Sequence, residues 1–158
     1  MAVDAEYGGV VGPTELLLER YLHQQIPLSA AMGVRVSAAS GERVQLAVPL
    51  APNVNHNETA FGGSAAALAT LSAWALLHLR LAAAGMQARL VIQRSTMEYE
   101  QPILGDFDGV CRFTDEMAWD RFRLTLARRR RARLTLAAHL ICDGRQMATF
   151  EGDFVALL

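Results

Sequence analysis

The chain has 158 residues, of which 52% are hydrophobic and 20% are charged, so it is long enough for one globular domain with its own core. A formal net charge of −1 argues against a general nucleic-acid binder. Two cysteines, Cys111 and Cys142, are too few for a disulfide framework or for a zinc site of their own, which favours a reducing, cytoplasmic setting. The N-terminus lacks a signal-peptide pattern, and the longest apolar stretch, 64–79, is shorter than a membrane span needs.

The N-terminal part of the sequence predicts a short arm followed by helices. Residues 1–12 contain three glycines and no clear hydrophobic period, so we expect a flexible arm ahead of a single domain at 13–158. Pro13 suits the first turn of a helix, whose apolar residues recur at helical spacing until Pro27 stops it. A short second helical turn ends at Gly33, which suits a left-handed C-terminal cap.

The hydrophobic pattern then changes to a period of two, which is typical of strands with one buried face. Apolar residues alternate with polar ones at 34–37 and 44–50, and we predict two antiparallel strands there. The polar, asparagine-rich segment 51–61 is predicted to be a loop. A long helix follows over 64–84, and because it is apolar on every side, other structure must surround it.

Short strands dominate the rest of the predicted structure. Asp143-Gly144 is a strong hairpin signal between the last two of them. The chain order therefore predicts an α+β fold in which an antiparallel sheet curls around one apolar helix, whose outer face a symmetric partner would cover. The predicted strands are 90–100, 107–114, 119–128, 134–142 and 146–155.

Two motifs flank the long predicted helix. The segment 55–64 reads NHNETAFGGS, with LSAW at 71–74 inside the helix, and 97–103 reads MEYEQPI. Together they resemble the hotdog-fold thioesterases, and most of all the thioesterase family named after the YiiD C-terminal domain, over roughly residues 13–157. The resemblance implies a hotdog fold, a homodimer or dimer of dimers with active sites at the interface, and an acyl thioester as ligand. That thioester would be carried by coenzyme A or acyl carrier protein, with no cofactor besides the coenzyme A or phosphopantetheine of the substrate.

The glycine pair Gly62-Gly63 stands where the long helix is predicted to begin. The first N–H groups of a helix have no intrahelical acceptor, and the helix dipole makes that end electropositive. Glycines let a ligand approach the backbone, so this position suits a thioester carbonyl whose oxygen becomes negative during reaction. The alternative interpretation is structural, because a Gly-Gly pair also permits close packing of a loop against a helix.

The resemblance assigns further catalytic positions to Asn55, Thr70 and Ser95. In the family, a polar residue at Asn55 often faces the thioester, although an asparagine here also suits a turn that bonds its own loop. Many hotdog thioesterases carry Asp or Glu at the position of Thr70, as nucleophile or base; a threonine would orient water or bond a carbonyl one turn back. A hydroxyl near Ser95, on the strand face of Gln93, often faces the partner's helix start; otherwise Ser95 is an ordinary strand residue.

Other side chains of the same segment are further candidates. His56 is a free imidazole to which the resemblance assigns no function. Glu58 is the one carboxylate of the loop, but the resemblance places a glycine there, and a nearby helix start weakens it as a base by favouring its charged form. The residues expected to contact the substrate are Thr59, Phe61, Ser64 and Tyr99.

The arginines at 128–131, together with Arg133, form the densest charge cluster in the sequence. They suit the phosphates of coenzyme A or the acidic surface of a carrier protein, and also a solvated turn between two strands. No spacing of histidines indicates a metal site.

Three functions remain open at this point. Hydrolysis of an acyl thioester would use the helix start as an oxyanion hole and Asn55 with Thr70 or Ser95 to place a water molecule, but an evident base is missing. Decarboxylation of a malonyl thioester needs only a dry pocket and donors that stabilise an enolate, and it fits the association of relatives with the start of fatty-acid synthesis. The third function is non-catalytic binding of an acyl thioester.

Overall fold

The computed structural model describes residues 14–158, so the arm expected at 1–12 lies outside the described residues. The helices are α1 Thr14–Gln25, α2 Pro27–Ala31, α3 Gly62–Ala83 and α4 Glu116–Arg129, with a 3-10 turn at Ala51–Asn53. The strands are β1 Arg35–Ala39, β2 Arg43–Val48, β3 Arg89–Tyr99, β4 Phe107–Arg112, β5 Arg131–Cys142 and β6 Arg145–Leu157. They form one antiparallel six-stranded sheet in the order β1-β2-β4-β5-β6-β3.

Helix α3 lies in the middle of the core, as its all-round apolar sequence predicts. Leu68, Leu76 and Ala69 are fully buried against the inner face of the sheet. By length and composition alone α3 is able to cross a membrane, but in this fold most of it is enclosed by the rest of the chain. Helix α1 covers part of its outer face, where the ring of Tyr21 stacks on Trp74 with 6.2 Å between ring centroids; cover by a symmetric partner stays a prediction.

The sheet approaches α3 most closely at Gly109 in the middle of β4. A Cβ placed on Gly109 would lie 2.5 Å from the hydroxyl oxygen of Ser72 and 3.2 Å from the carbonyl oxygen of Leu68, so a side chain does not fit. The Ser72 hydroxyl donates to that same carbonyl at 2.8 Å, which keeps this buried polar group paired. Helix and strand are therefore in contact through backbone atoms at this point.

The strand predicted at 119–128 is wrong, because this segment belongs to helix α4. Alternation of apolar and basic residues suggested a period of two, but the buried residues are Trp119, Phe122 and Leu126, which recur at helical spacing. The Asp115 carboxylate caps the helix by accepting from the N–H of Ala118 at 2.9 Å. The helix ends at Arg130, which has a φ of 61° and leads directly into β5.

The predicted turns are confirmed by positive backbone angles. Gly33 and Gly85 have φ values of 74° and 68°, at the ends of α2 and α3. Asp143 and Gly144 have φ values of 50° and 73°, which is the conformation of a two-residue hairpin between β5 and β6. These residues set the ends of the helices and the register of the β5–β6 hairpin.

Candidate active site at the start of the central helix

The loop before α3 is fixed by Asn53, a residue that the sequence analysis did not single out. Asn53 is 1% exposed, and its side-chain amide donates to the carbonyl oxygens of Met32 at 2.9 Å and Pro49 at 2.8 Å. Its own carbonyl accepts from the N–H of Phe61 at 2.7 Å. Asn53 therefore ties the residue that precedes α3 to the α2–β1 region and to β2. The only indication of this role in the sequence was an asparagine a few residues before the Gly-Gly pair.

The start of α3 is open to a ligand. Phe61 occupies the N-cap position and no described side chain caps the helix there. Within residues 14–158, no group accepts a hydrogen bond from the N–H groups of Gly62, Gly63 or Ser64. Gly62 and Ser64 are half-buried and Gly63 is exposed. Unpaired N–H groups at the positive end of a helix dipole attract an oxygen that carries or develops negative charge.

The two glycines differ in what an added side chain would meet. A Cβ on Gly63 would lie 2.4 Å from the ring of Phe61, so packing of the loop on the helix accounts for this glycine. A Cβ on Gly62 would lie 3.7 Å from the ring of Tyr99, which is ordinary van der Waals contact, and its φ is not positive. Nothing in the described part of the chain therefore requires glycine at position 62.

Tyr99 fixes the other side of the helix start. Its phenol lies 3.1 Å from the carbonyl oxygen of Gly62 and donates to it, while the side chain remains 56% exposed. Since the bond uses a carbonyl, it leaves the neighbouring N–H groups unoccupied. Tyr99 thus orients the end of the helix and lines the opening beside it.

The side chain of Asn55 is engaged within its own loop. Its amide donates to the Thr59 hydroxyl at 2.8 Å, and its carbonyl oxygen accepts from the N–H groups of Asn57 at 2.8 Å and Thr59 at 3.2 Å. This arrangement is the turn alternative of the sequence analysis. Asn55 and Thr59 therefore shape the loop in this structure, and a direct role of either at a substrate stays a prediction.

Glu58 lies on the same loop in a backbone conformation that favours glycine, with a φ of 62°. This angle explains why the family resemblance places a glycine at that position. Both Glu58 and His56 are exposed. Neither makes a side-chain hydrogen bond to another described residue.

An apolar cavity of about 270 Å³ continues along the face of α3 that begins at the helix start. Gly63, Ala67, Thr70 and Trp74 are spaced four, three and four residues apart, so they share one face of the helix. The cavity lies between this face, α2 and the inner face of the sheet. Its lining residues are Ile26, Leu28, Ser29, Met32, Ala67, Thr70, Leu71, Trp74, Ile92 and Phe154.

The hydroxyl of Thr70 is available in this cavity. It makes no hydrogen bond to any residue in 14–158, whereas Ser72, two positions on, bonds the carbonyl one turn back. Thr70 follows Gly63 by seven residues, which at about 1.5 Å per residue separates them by about 11 Å. The helix start and Thr70 therefore do not meet at one carbonyl within a single protomer.

Ser95 lies on β3, the edge strand next to β6. Its partner in the register is Gly152, so it shares the inner face of the sheet with Met97 and Tyr99. The expectation that Gln93 shares this face needs correction, because the register shifts between Ile92 and Arg94 and brings Ile92 to the inner face instead. Ser95 is exposed on this edge.

Several predicted side chains lie away from this opening. The arginines at 128–131 end α4 and begin β5, at the end of the sheet opposite Tyr99. Cys111 and Cys142 are buried, and burial raises the pKa of the Cys111 thiol to about 12. Within the described residues, no group of three or more histidine, cysteine, aspartate or glutamate side chains has a metal-binding arrangement.

An antiparallel sheet wrapped around one long helix defines the hotdog class of proteins. Residues 15–158 match a family model described as "Putative thioesterase (yiiD_Cterm)". The chain belongs to this YiiD C-terminal thioesterase family, as the motifs around the helix suggested.

Solved structures support the same assignment. A protein of unknown function from Chlorobaculum tepidum is 26% identical, with a TM-score of 0.86 and coverage of 90% of this chain and 93% of that one. A protein from Shewanella oneidensis described as a putative thioesterase is also 26% identical, with a TM-score of 0.81 and coverage of 91% and 97%. A Pseudomonas aeruginosa protein described as a probable thioesterase is 22% identical, with a TM-score of 0.80 and coverage of 95% and 99%, and this likeness concerns the fold alone.

Proposed function

We propose that the protein hydrolyses acyl thioesters carried by coenzyme A or acyl carrier protein. The observation that carries this proposal is the set of unpaired N–H groups at Gly62 and Gly63, on the helix face that lines an apolar cavity from Ala67 onwards. Such donors stabilise the oxyanion that forms when water attacks a thioester carbonyl. The cavity beside them suits an acyl chain.

The size of the cavity sets the expected chain length. At about 30 Å³ for each water-sized group, a volume of about 270 Å³ corresponds to about nine methylene groups. Trp74 lies on the same helix face as Gly63, three turns further along, and would limit how far a chain reaches. We therefore expect the highest kcat/KM with acyl chains of middle length.

We further propose that the site is completed by a second copy of the chain. β3 is an eleven-residue edge strand, and within the described part of the chain it pairs with β6 alone. Ile92, Ser95 and Tyr99 are exposed on its inner face. Antiparallel pairing of two β3 edges would cover them and bring the helix start of one protomer towards Thr70 of the partner subunit. This pairing would overcome the separation of about 11 Å within one protomer.

Decarboxylation of a malonyl thioester is the second candidate function. The specific observation in its favour is that, among residues 14–158, no carboxylate lines the cavity, where the hydroxyl groups are those of Ser29 and Thr70. Decarboxylation needs no base: the C–C bond breaks, carbon dioxide leaves, and the electron pair forms a thioester enolate that the helix N–H groups stabilise until it is protonated.

Incubation with saturated acyl thioesters of increasing length and with malonyl thioesters separates the candidates. Hydrolysis releases free thiol from the saturated thioesters, and decarboxylation converts the malonyl thioester to the acetyl thioester. Binding without turnover of any of them would support the non-catalytic module and would contradict the proposal.

The helix start is tested by Gly62→Pro. Proline is well tolerated at the first helical position, and Phe61, with φ −62° and ψ 130°, has the conformation that precedes proline. The substitution removes one donor N–H, so we expect kcat to fall by about 100-fold or more with little change in Tm. Gly62→Ala is the matched control, because it keeps the N–H while adding a Cβ for which the structure has room.

A further inference from the structure

The charges of this chain are strongly segregated. Residues 116–133 contain seven arginines and two carboxylates, which is a net charge of +5 over eighteen residues. The other 140 residues contain eight arginines and fourteen carboxylates, a net charge of −6. A chain that is nearly neutral as a whole therefore has one strongly basic region on an acidic background.

Most arginines of this basic region have no counterion among the described residues. Among the described residues the ion pairs are Arg80–Glu116 at 2.7 Å and Arg123–Asp120 at 3.6 Å, and they use both carboxylates of the segment. Six exposed arginines take part in neither ion pair, and we call this group the arginine surface. Its members are Arg89, Arg128, Arg129, Arg130, Arg131 and Arg133.

The register of the sheet places Arg89, Arg131 and Arg133 on the outer face, at the end of the sheet where β3 and β5 begin, and the arginines at 128–130 lead into β5 there. Arg131 of β5, Leu157 of β6 and Arg89 of β3 are direct neighbours across three strands. In the next row, Arg133 and Val91 flank Val155. Leu157 is 36% exposed and Val91 49% exposed, so apolar side chains lie between the arginines.

This surface lies on the outer face of the sheet and the site that we propose lies on the inner face, so the arm of a docked carrier would pass round the end of the sheet between them. Antiparallel pairing of two β3 strands would place Arg89, at the start of one strand, beside Tyr99 at the end of the partner's β3. Three strand spacings of about 4.8 Å then separate Arg131 from Tyr99 of the partner subunit, or about 14 Å. That distance is shorter than an extended phosphopantetheine arm.

We infer that the arginine surface docks the acidic face of a carrier protein, which delivers its acyl phosphopantetheine to the helix start of the partner protomer. The inference rests on the proposed function. Arginines spread over two strands and a helix end, with exposed valine and leucine among them, suit an acidic protein surface that also has apolar side chains. A nucleotide would instead need arginines that converge on its phosphates.

Direct binding tests the docking separately from turnover. The intact protein is titrated with a bacterial acyl carrier protein that bears no acyl group, at low and at high ionic strength. We expect binding that weakens with salt, and a rise in Kd of about tenfold or more for Arg131→Glu/Arg133→Glu. Arg20→Glu/Arg35→Glu is the matched control, since both residues are exposed, carry the same charge and lie on α1 and the opposite edge strand. Salt-independent or absent binding, or equal loss in both variants, would overturn the inference.

Turnover then distinguishes the two thiol carriers. With the same acyl chain, kcat/KM on the carrier-protein thioester should fall in Arg131→Glu/Arg133→Glu, while kcat/KM on the coenzyme A thioester stays unchanged. An equal fall on both substrates would mean that these arginines hold the nucleotide, and carrier docking would be wrong. Binding of the carrier protein without hydrolysis of either thioester would contradict the proposed function and leave the docking intact. Circular dichroism and Tm confirm that each variant is folded.

Discussion

The two ends of α3 differ in how fully their polar groups are used. At the start, three N–H groups have no acceptor within residues 14–158, and the side chain at the N-cap, Phe61, has none to offer. Near the end, Arg80 donates to the carbonyl of Gly41 at 2.6 Å and to the Glu116 carboxylate at 2.7 Å. Its guanidinium also lies 4.1 Å from the ring centroid of Phe113 and 4.6 Å from that of Trp119.

One end of this helix anchors it in the fold, and the other end is the candidate site. The Arg80 end joins α3 to the β1–β2 turn and to α4, so it fixes the helix in the fold. The Gly62 end has no side-chain cap, although a cap commonly stabilises a helix by about 1 kcal/mol. A rigid helix with one unused end holds its donors in place before a substrate arrives, and preorganised donors of this kind are effective in stabilising charge.

The largest expected effect comes from breaking the anchored end. Arg80→Ala removes a charge-assisted hydrogen bond to a buried region and two cation–π contacts, so we expect the free energy of unfolding to fall by about 3 kcal/mol. The ion pair itself contributes little, because Glu116 is 65% exposed. Urea unfolding measures the change. Activity per folded molecule should stay near wild type, and a large loss of kcat in folded protein would contradict the division between the two ends.

A smaller effect is expected on the open side of the helix. Thr70→Val removes a hydroxyl without a described partner from an apolar cavity, so stability should be unchanged or slightly higher. If Thr70 orients the attacking water, kcat falls by about tenfold or more while KM changes little. Steady-state kinetics with a middle-length acyl thioester distinguishes this result from a packing effect, which would raise KM instead.

The effect that is smallest at neutral pH is a dependence of core stability on pH, because ionisation of the Cys111 thiol matters only above about pH 9. Burial raises the pKa of the Cys111 thiol to about 12, from an ordinary value of 9.0. The unfolded chain therefore loses this proton first, and stability should decrease as the pH rises above about 9 towards 12, by at most about 1.4 kcal/mol per pH unit. Cys111→Ala should show a shallower decline over that range. An identical slope would mean that other groups dominate alkaline unfolding.

Most of the fold could be predicted from the sequence because its elements carry local signals. The all-round apolar pattern of α3, the glycines at 33 and 85 and the Asp143-Gly144 turn each favour one conformation, and each is confirmed. Helix α4 was missed because arginines alternate with apolar residues along it. Leu124, which the period of two placed in the core, is 53% exposed. The cap at Asp115 and the arginines of the last turn were the helix signals to weigh against it.

The candidate site was harder to predict because it depends on contacts between distant segments. The position of Gly62-Gly63 followed from the motif, but the roles of Asn53 and Tyr99 depend on bonds across 21 and 37 residues. The bulge after Ile92 changes which side chains of β3 face inwards, and no residue type in that segment indicates a bulge. The resemblance identified Thr70 as a candidate residue. Only the structure shows that its hydroxyl has no hydrogen-bond partner among the described residues.

The contact at Gly109 has a consequence for how this chain tolerates change. Because Gly109 has no side chain, the strand packs directly against Ser72 and Leu68. Even a methyl group at this position would push the sheet away from the helix. Ser72 lies two residues beyond Thr70, so displacement at this single point would widen or skew the acyl cavity without touching any residue that lines it. Mutant libraries designed to change substrate preference should therefore keep Gly109 unchanged.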